Sequence, residues 1–194
     1  MTQSVLLSTV AEPTSPARVD LPPIPSWAIP RRSLADRLDV GMSGLLTVVT
    51  GPTGAGKTMG VASWAASADL SGAVIWLNIP RGGADPDSVW RQLRGRWLEA
   101  GARDLPPVPS GKCSEPKRIG MLADFGVALR AGGPWVVVLD DYPSGSPGRL
   151  ERELDIVLDH ARRAVRLVVI SQGPPALDVH RYSVAGELTR VAGP

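Results

Sequence analysis

The sequence predicts an α/β fold, a three-layer sandwich in which a parallel sheet of about five strands is flanked by helices. Three observations carry this expectation. Apolar, β-branched runs alternate with stretches whose apolar residues recur at helical spacing, the pattern of strands joined by right-handed crossovers. The first of these runs, Leu45 to Thr50, leads directly into the glycine-rich stretch Gly51-Pro52-Thr53-Gly54-Ala55-Gly56-Lys57-Thr58. A later run, Trp135 to Leu139, ends in the two acids Asp140 and Asp141.

Residues 1–24 are rich in Ser, Thr and Pro without apolar periodicity and read as a disordered leader, so the folded domain is expected over residues 25–194. Leu34 and Leu38 stand four apart after Ser33, which gives a short helix before the first strand at about 45–50. Val61, Trp64, Ala65 and Ala68 recur at helical spacing and define a helix from Gly56 to about Ala68. Gly72 then turns the chain into a buried strand over residues 73–79, closed by Pro80. Asp85-Pro86-Asp87 opens a helix through Val89, Trp90, Leu93, Trp97 and Leu98, and its acidic start suits the helix dipole. Residues 101–118 read as a Pro- and Gly-containing basic loop, followed by a helix at about 119–131. The acid-terminated strand comes next, then a helix carrying Leu150, Leu154, Val157, Leu158 and Ala161, and a fourth strand at 166–171. A fifth strand near 184–191 is only weakly patterned.

The glycine-rich stretch has the spacing of a Walker A phosphate-binding loop. Triphosphate oxygens need several backbone N–H groups converging on them, and Gly54 and Gly56 let the chain wrap closely without a Cβ in the way. Lys57 is placed to reach the β- and γ-phosphates, and the Thr58 hydroxyl to ligate Mg²⁺. Gly51, Pro52, Thr53 and Ala55 complete the binding loop. The fold expected is therefore the P-loop NTPase kind, holding a nucleoside triphosphate, expected to be ATP though these residues leave ATP and GTP both open, together with Mg²⁺. In an open parallel sheet, ligands sit beyond the carboxyl ends of the strands, where Asp140 and Asp141 are delivered. Asp140 is expected to help hold Mg²⁺, and Asp141 to orient or deprotonate an attacking water. Ser171, at the end of the fourth strand, is a candidate polar contact for the γ-phosphate, and equally a serine opening a turn.

Composition excludes several other classes. The net charge of +2 is dispersed and gives no basic stripe, and no helix-turn-helix is evident, so direct DNA binding by this chain is not expected. One cysteine, Cys113, cannot form an internal disulfide, and neither it nor the isolated His160 and His180 has metal-ligand spacing. No apolar run is long enough to span a bilayer, and Val5-Leu6-Leu7 lacks the flanks of a secretory signal, so a cytoplasmic location without membrane contact is expected. Trp64, Trp76, Trp90, Trp97 and Trp135 lie in strands or at helical spacing and read as core rather than as a base-stacking platform.

Taken in order, these segments resemble the ATPase domain of the large LuxR-type, maltose-regulator-like transcriptional regulators, a branch of the STAND class of P-loop NTPases. The resemblance covers roughly residues 27–190 and rests on Ile29-Pro30-Arg31, Arg37-Leu38, the Walker A loop, Trp64-Ala65, Trp76-Leu77, Asp85-Pro86 and Leu139-Asp140-Asp141-Tyr142. It implies a nucleotide-dependent switch in transcription regulation, with nucleotide as ligand and a protein partner or self-association as its output. Two departures matter. The family commonly follows the serine of its fourth strand with an arginine that is thought to sense the γ-phosphate, whereas Ser171 is followed by Gln172. The family's helical repeats and DNA-binding helix-turn-helix are not in this sequence. Slow hydrolysis by a switch and nucleotide or partner binding without turnover are both open on these residues, and a small-molecule kinase is a third reading that lacks an evident lid.

Overall fold

The computed structural model describes residues 16–80 and 84–192. Six strands form one parallel sheet: β1 (Arg18–Val19), β2 (Leu46–Thr50), β3 (Ala73–Asn78), β4 (Trp135–Tyr142), β5 (Val165–Ser171) and β6 (Leu188–Ala192), in the spatial order β1-β3-β4-β5-β2-β6. The helices between them are α1 (Arg32–Gly41), α2 (Lys57–Ser67), α3 (Pro86–Glu99), α4 (Glu115–Leu129), α5 (Arg149–Ala161) and α6 (Val179–Val184).

Alternation along the strands, broken only near the end of β4, divides the core between the two faces of the sheet. Ile75 and Leu77 of β3, Val137 and Leu139 of β4, and Leu167 and Val169 of β5 pack with α3, α4 and α5. Val74 and Trp76, Val136 and Val138, and Val168 and Ile170 face the other way and pack with α1 and α2. All five tryptophans expected in the core are buried. Trp90 and Trp97 each meet Phe125 edge-on, with ring centroids 6.2 and 5.3 Å apart.

The sheet carries one strand more than expected. β6 is a true strand in register with β2, at 188–192 rather than 184–191, and the short helix α6 precedes it. At the other edge, Arg18 and Val19 pair in parallel with Val74 and Ile75 of β3, inside the segment read as leader. Two residues are too few for periodicity to reveal. What holds them is Arg18, whose guanidinium bonds the carbonyls of Ala65, Ala68 and Gly72. The leader before residue 16 lies outside the described residues. α4 also begins four residues earlier than expected, at Glu115, because Pro116 stands in the first turn of the helix, where its missing N–H costs nothing. α3 starts as the sequence suggests, with the Asp85 carboxylate accepting the Ser88 N–H at 3.0 Å.

Candidate functional site

The carboxyl ends of β2, β4 and β5 meet at one edge of the sheet. Thr50 is in register with Ser171, and Tyr142 pairs with the same serine, so the loop after β2, the acids of β4 and the turn after β5 are neighbours. They enclose a cleft of about 300 Å³ lined by Thr53, Gly54, Gly56, Lys57, Thr58, Met59, Asp140, Asp141, Ile170, Ser171 and Gln172.

The loop's glycines are there for backbone conformation. Gly54 and Gly56 have φ of +81° and +72°, left-handed values that side chains make costly, and α2 starts at the next residue, Lys57. The unpaired N–H groups of its first turn therefore face the same cleft as the loop. Lys57 Nζ donates to the carbonyls of Gly51 at 2.7 Å and Pro52 at 2.9 Å, so its ammonium lies across the loop. From α1's side, Arg31 donates to the Ala55 carbonyl at 2.9 Å and bolts the outer turn of the loop to the segment before α1.

Thr58 and Asp140 form the second half of the cleft. The threonine hydroxyl donates to Oδ1 of Asp140 at 3.1 Å, and the Asp141 N–H donates to the same oxygen at 2.9 Å. Asp140 is buried, and that desolvation pushes its carboxyl above the usual carboxylate range. The Asp141 N–H, the Thr58 hydroxyl and the Lys57 charge pull the other way. A desolvated carboxylate beside a hydroxyl is a hard oxygen pair of the sort that Mg²⁺ accepts when phosphate and water complete its octahedron. Among the described residues no group of three or more His, Cys, Asp or Glu could hold a metal by itself. The residues thus fit a magnesium ion that arrives with a phosphate ligand, and the cleft's size and donors fit the phosphates.

The structure sorts the expected site residues into three groups. Thr53, Gly54, Gly56, Lys57, Thr58, Asp140 and Asp141 share the cleft. Gly51 and Pro52 line instead an adjacent, mostly apolar groove of about 650 Å³ with Pro174, Pro175 and Val179, while Ala55 offers its carbonyl to Arg31. Ser171 borders the cleft, but its buried hydroxyl donates to the Gly173 carbonyl at 2.6 Å and so holds the turn, as the plainer of its two readings has it. Gln172, which the sequence marks only as a departure, lines both cavities. Arg31's grip on the loop has no motif of its own beyond the Ile-Pro-Arg segment.

The comparisons with known proteins come to the same architecture. The Cdc6p crystal structure from Pyrobaculum aerophilum superposes with a TM-score of 0.54 over 88% of this chain and 47% of that one, at 16% identity. The fold is that of a P-loop NTPase. In sequence, the P-loop domain is 27% identical to the serine/threonine-protein kinase PknK of Mycobacterium tuberculosis and of Mycobacterium bovis, over 94% of this chain. It spans only 17% of that protein's length, and no family model matches. No helix among the described residues is long and apolar enough to cross a membrane.

Proposed function

We propose that this P-loop domain binds ATP with Mg²⁺ as a regulatory switch of the kind found in LuxR-type regulators, and that slow hydrolysis resets it. The observation that carries the reading is the Thr58–Asp140 contact with Lys57 lying across the same loop, because it joins the two halves of a triphosphate site. Lys57 swings from the Gly51 and Pro52 carbonyls to the β- and γ-phosphates, and the loop N–H groups take the remaining oxygens. Bound Mg²⁺ would neutralise the negative charge that builds on the phosphates. Thr58 and Asp140 would hold it, Asp141 would orient the attacking water, and the Gln172 amide, more than the turn-bound Ser171 hydroxyl, would be free to meet the γ-phosphate. The regulatory setting is supported by the ordered likeness from Ile29-Pro30-Arg31 to Leu139-Asp140-Asp141-Tyr142. A protein partner or self-association reads the nucleotide state.

Thermal melting tests the binding. At ATP·Mg²⁺ near 100 times its dissociation constant, linkage gives about 2.7 kcal/mol of stabilisation, a rise of roughly 5–10 °C. Lys57→Ala should abolish the rise, and a wild-type chain with no rise would sink the reading. One observation favours a second version, binding without turnover: the Ser171 hydroxyl is committed to Gly173, and a neutral glutamine follows it. Phosphate release by wild type above the rate of Asp141→Asn would reject that version.

A further inference from the structure

The two successive acids at the cleft pose a problem of strand geometry. Side chains alternate along a strand, so consecutive residues point to opposite faces of the sheet. On β4, Trp135, Val137 and Leu139 face the α3–α5 core, and Val136 and Val138 face α1 and α2. Continued alternation would put Asp140 on the α2 side, where Thr58 waits, but would drive Asp141 into the α3–α5 core and turn Tyr142 toward the phosphates. That is not what the chain does. Leu139 and Tyr142 pair with Val169 and Ser171, so three steps on β4 match two on β5, and Asp141 is the extra residue of a β-bulge with φ of +54°. Tyr142 is thereby returned to the face of Leu139 and is buried there, while both acids line the cleft.

A bulge with a left-handed aspartate needs something to hold it. The Tyr142 hydroxyl donates to Oε1 of Glu151 at 2.7 Å, and Oε2 of Glu151 accepts the Gly148 N–H at 2.8 Å at the start of α5. Both side chains are buried. Slipping the register back by one residue would strip Glu151 of its partner and bury the Asp141 charge in an apolar layer, so the contact favours one register only.

We infer that Glu151, acting through Tyr142, is a positioning residue that locks the β4 bulge and so keeps Asp140 and Asp141 together at the phosphate cleft. The inference rests on the nucleotide-binding reading above, and its predictions separate from it. ATP affinity without metal reports the loop and Lys57, whereas the further gain on adding Mg²⁺ reports the placement of the acids.

Calorimetric titration of the full chain with ATP, with and without Mg²⁺, tests the lock. Tyr142→Phe and Glu151→Gln should bind metal-free ATP within about twofold of wild type and lose about 10–100-fold of the Mg²⁺-dependent gain, the usual effect of removing an outer partner of a metal ligand. Tyr182→Phe is the control: it deletes a similar tyrosine–carboxylate contact, to Asp155, away from the cleft, and should keep the gain. The isosteric Glu151→Gln serves if Tyr142→Phe does not fold. An unchanged Mg²⁺-dependent gain in the folded variants overturns the lock alone, and so does an equal loss in Tyr182→Phe. A wild type that binds no ATP under either condition overturns the nucleotide reading and the lock with it.

Discussion

Thr58 and Asp140 stand 82 residues apart in sequence, yet the hydroxyl of the first donates to the carboxylate of the second across 3.1 Å. The contact is made because α2 leaves the loop after β2 directly opposite the end of β4, one strand away across β5. Burial pushes the Asp140 carboxyl up, so its charged form weighs against folding when no cation is present. Asp140→Asn should therefore melt no lower than wild type in the absence of metal near neutral pH. With ATP·Mg²⁺ the order reverses, since the variant loses the charge that binds the cation. Melting curves under both conditions should cross in this way; a variant below wild type in both would mean that Asp140 is simply structural.

Gly54 and Gly56 share a left-handed backbone but not their surroundings. A Cβ at Gly54 would meet open space, whereas one at Gly56 would stand 3.1 Å from the Arg31 guanidinium. Alanine at either position strains the backbone by about 1–2 kcal/mol. Only Gly56→Ala also displaces Arg31 from the Ala55 carbonyl, so it should lose more stability and more ATP affinity than Gly54→Ala. Adding Arg31→Ala to Gly56→Ala should cost less than the two single losses summed, and a strictly additive double-mutant cycle would refute the coupling.

The acidic start of α3 is tied into a buried ionic group. Arg118 of α4 donates to Asp87 at 2.8 Å and to Glu153 of α5 at 3.2 Å, and the Trp90 indole N–H donates to Glu153 at 2.6 Å. Burial works against the Asp87 charge, but hydrogen bonds from Arg118 and the Gly111 N–H and the charges of Arg118 and Arg149 outweigh it and hold the carboxyl below its ordinary value. A folded-state pKa below the unfolded one stabilises at higher pH and is lost as pH falls through the folded value. The melting-temperature gap between wild type and Asp87→Asn should be full at pH 6 and close below about pH 4. Arg118→Met, which leaves the buried Glu153 with only the Trp90 indole and Arg149 as partners, should cost about 1–3 kcal/mol at neutral pH in denaturant unfolding.

Most of this arrangement is legible in the sequence, and for a physical reason. The central strands are buried on both faces, so they read as unbroken apolar runs, and the phosphate loop needs glycine where φ is positive. Lys57 and Thr58 follow from the spacing of the glycine-rich loop, and Asp140 from the acid that ends an apolar strand. What is not legible there depends on single side chains reaching across the fold. Ser171 and Gln172 differ by which one bonds the turn, and that is decided by the Gly173 carbonyl. The β4 bulge leaves no trace in the pattern Leu139-Asp140-Asp141-Tyr142, because it is fixed by Glu151, nine residues on. β1 is hidden for the same reason, its one informative residue being an arginine in a segment rich in Ser and Pro.

That arginine supports the last prediction. Arg18 Nε donates to the Ala65 carbonyl at 2.7 Å, and Nη1 to the Gly72 carbonyl at 3.2 Å, so a cation from β1 satisfies the C-terminal end of α2 and the turn that follows it. Carbonyls at a helix end carry the negative pole of its dipole, and a partly buried guanidinium there is worth about 1–2 kcal/mol. Arg18→Ala should lower the melting temperature by about 2–8 °C. Arg18→Lys should recover no more than half of the loss, because a single ammonium cannot bridge carbonyls on two elements as a planar fork does. ATP affinity should stay within about twofold in both variants, since Lys57 and Thr58 sit at the opposite end of α2. A melting temperature within 1 °C of wild type for Arg18→Ala would show that β1 is an ornament of the sheet edge, and a large loss of affinity would show that it acts on the loop itself.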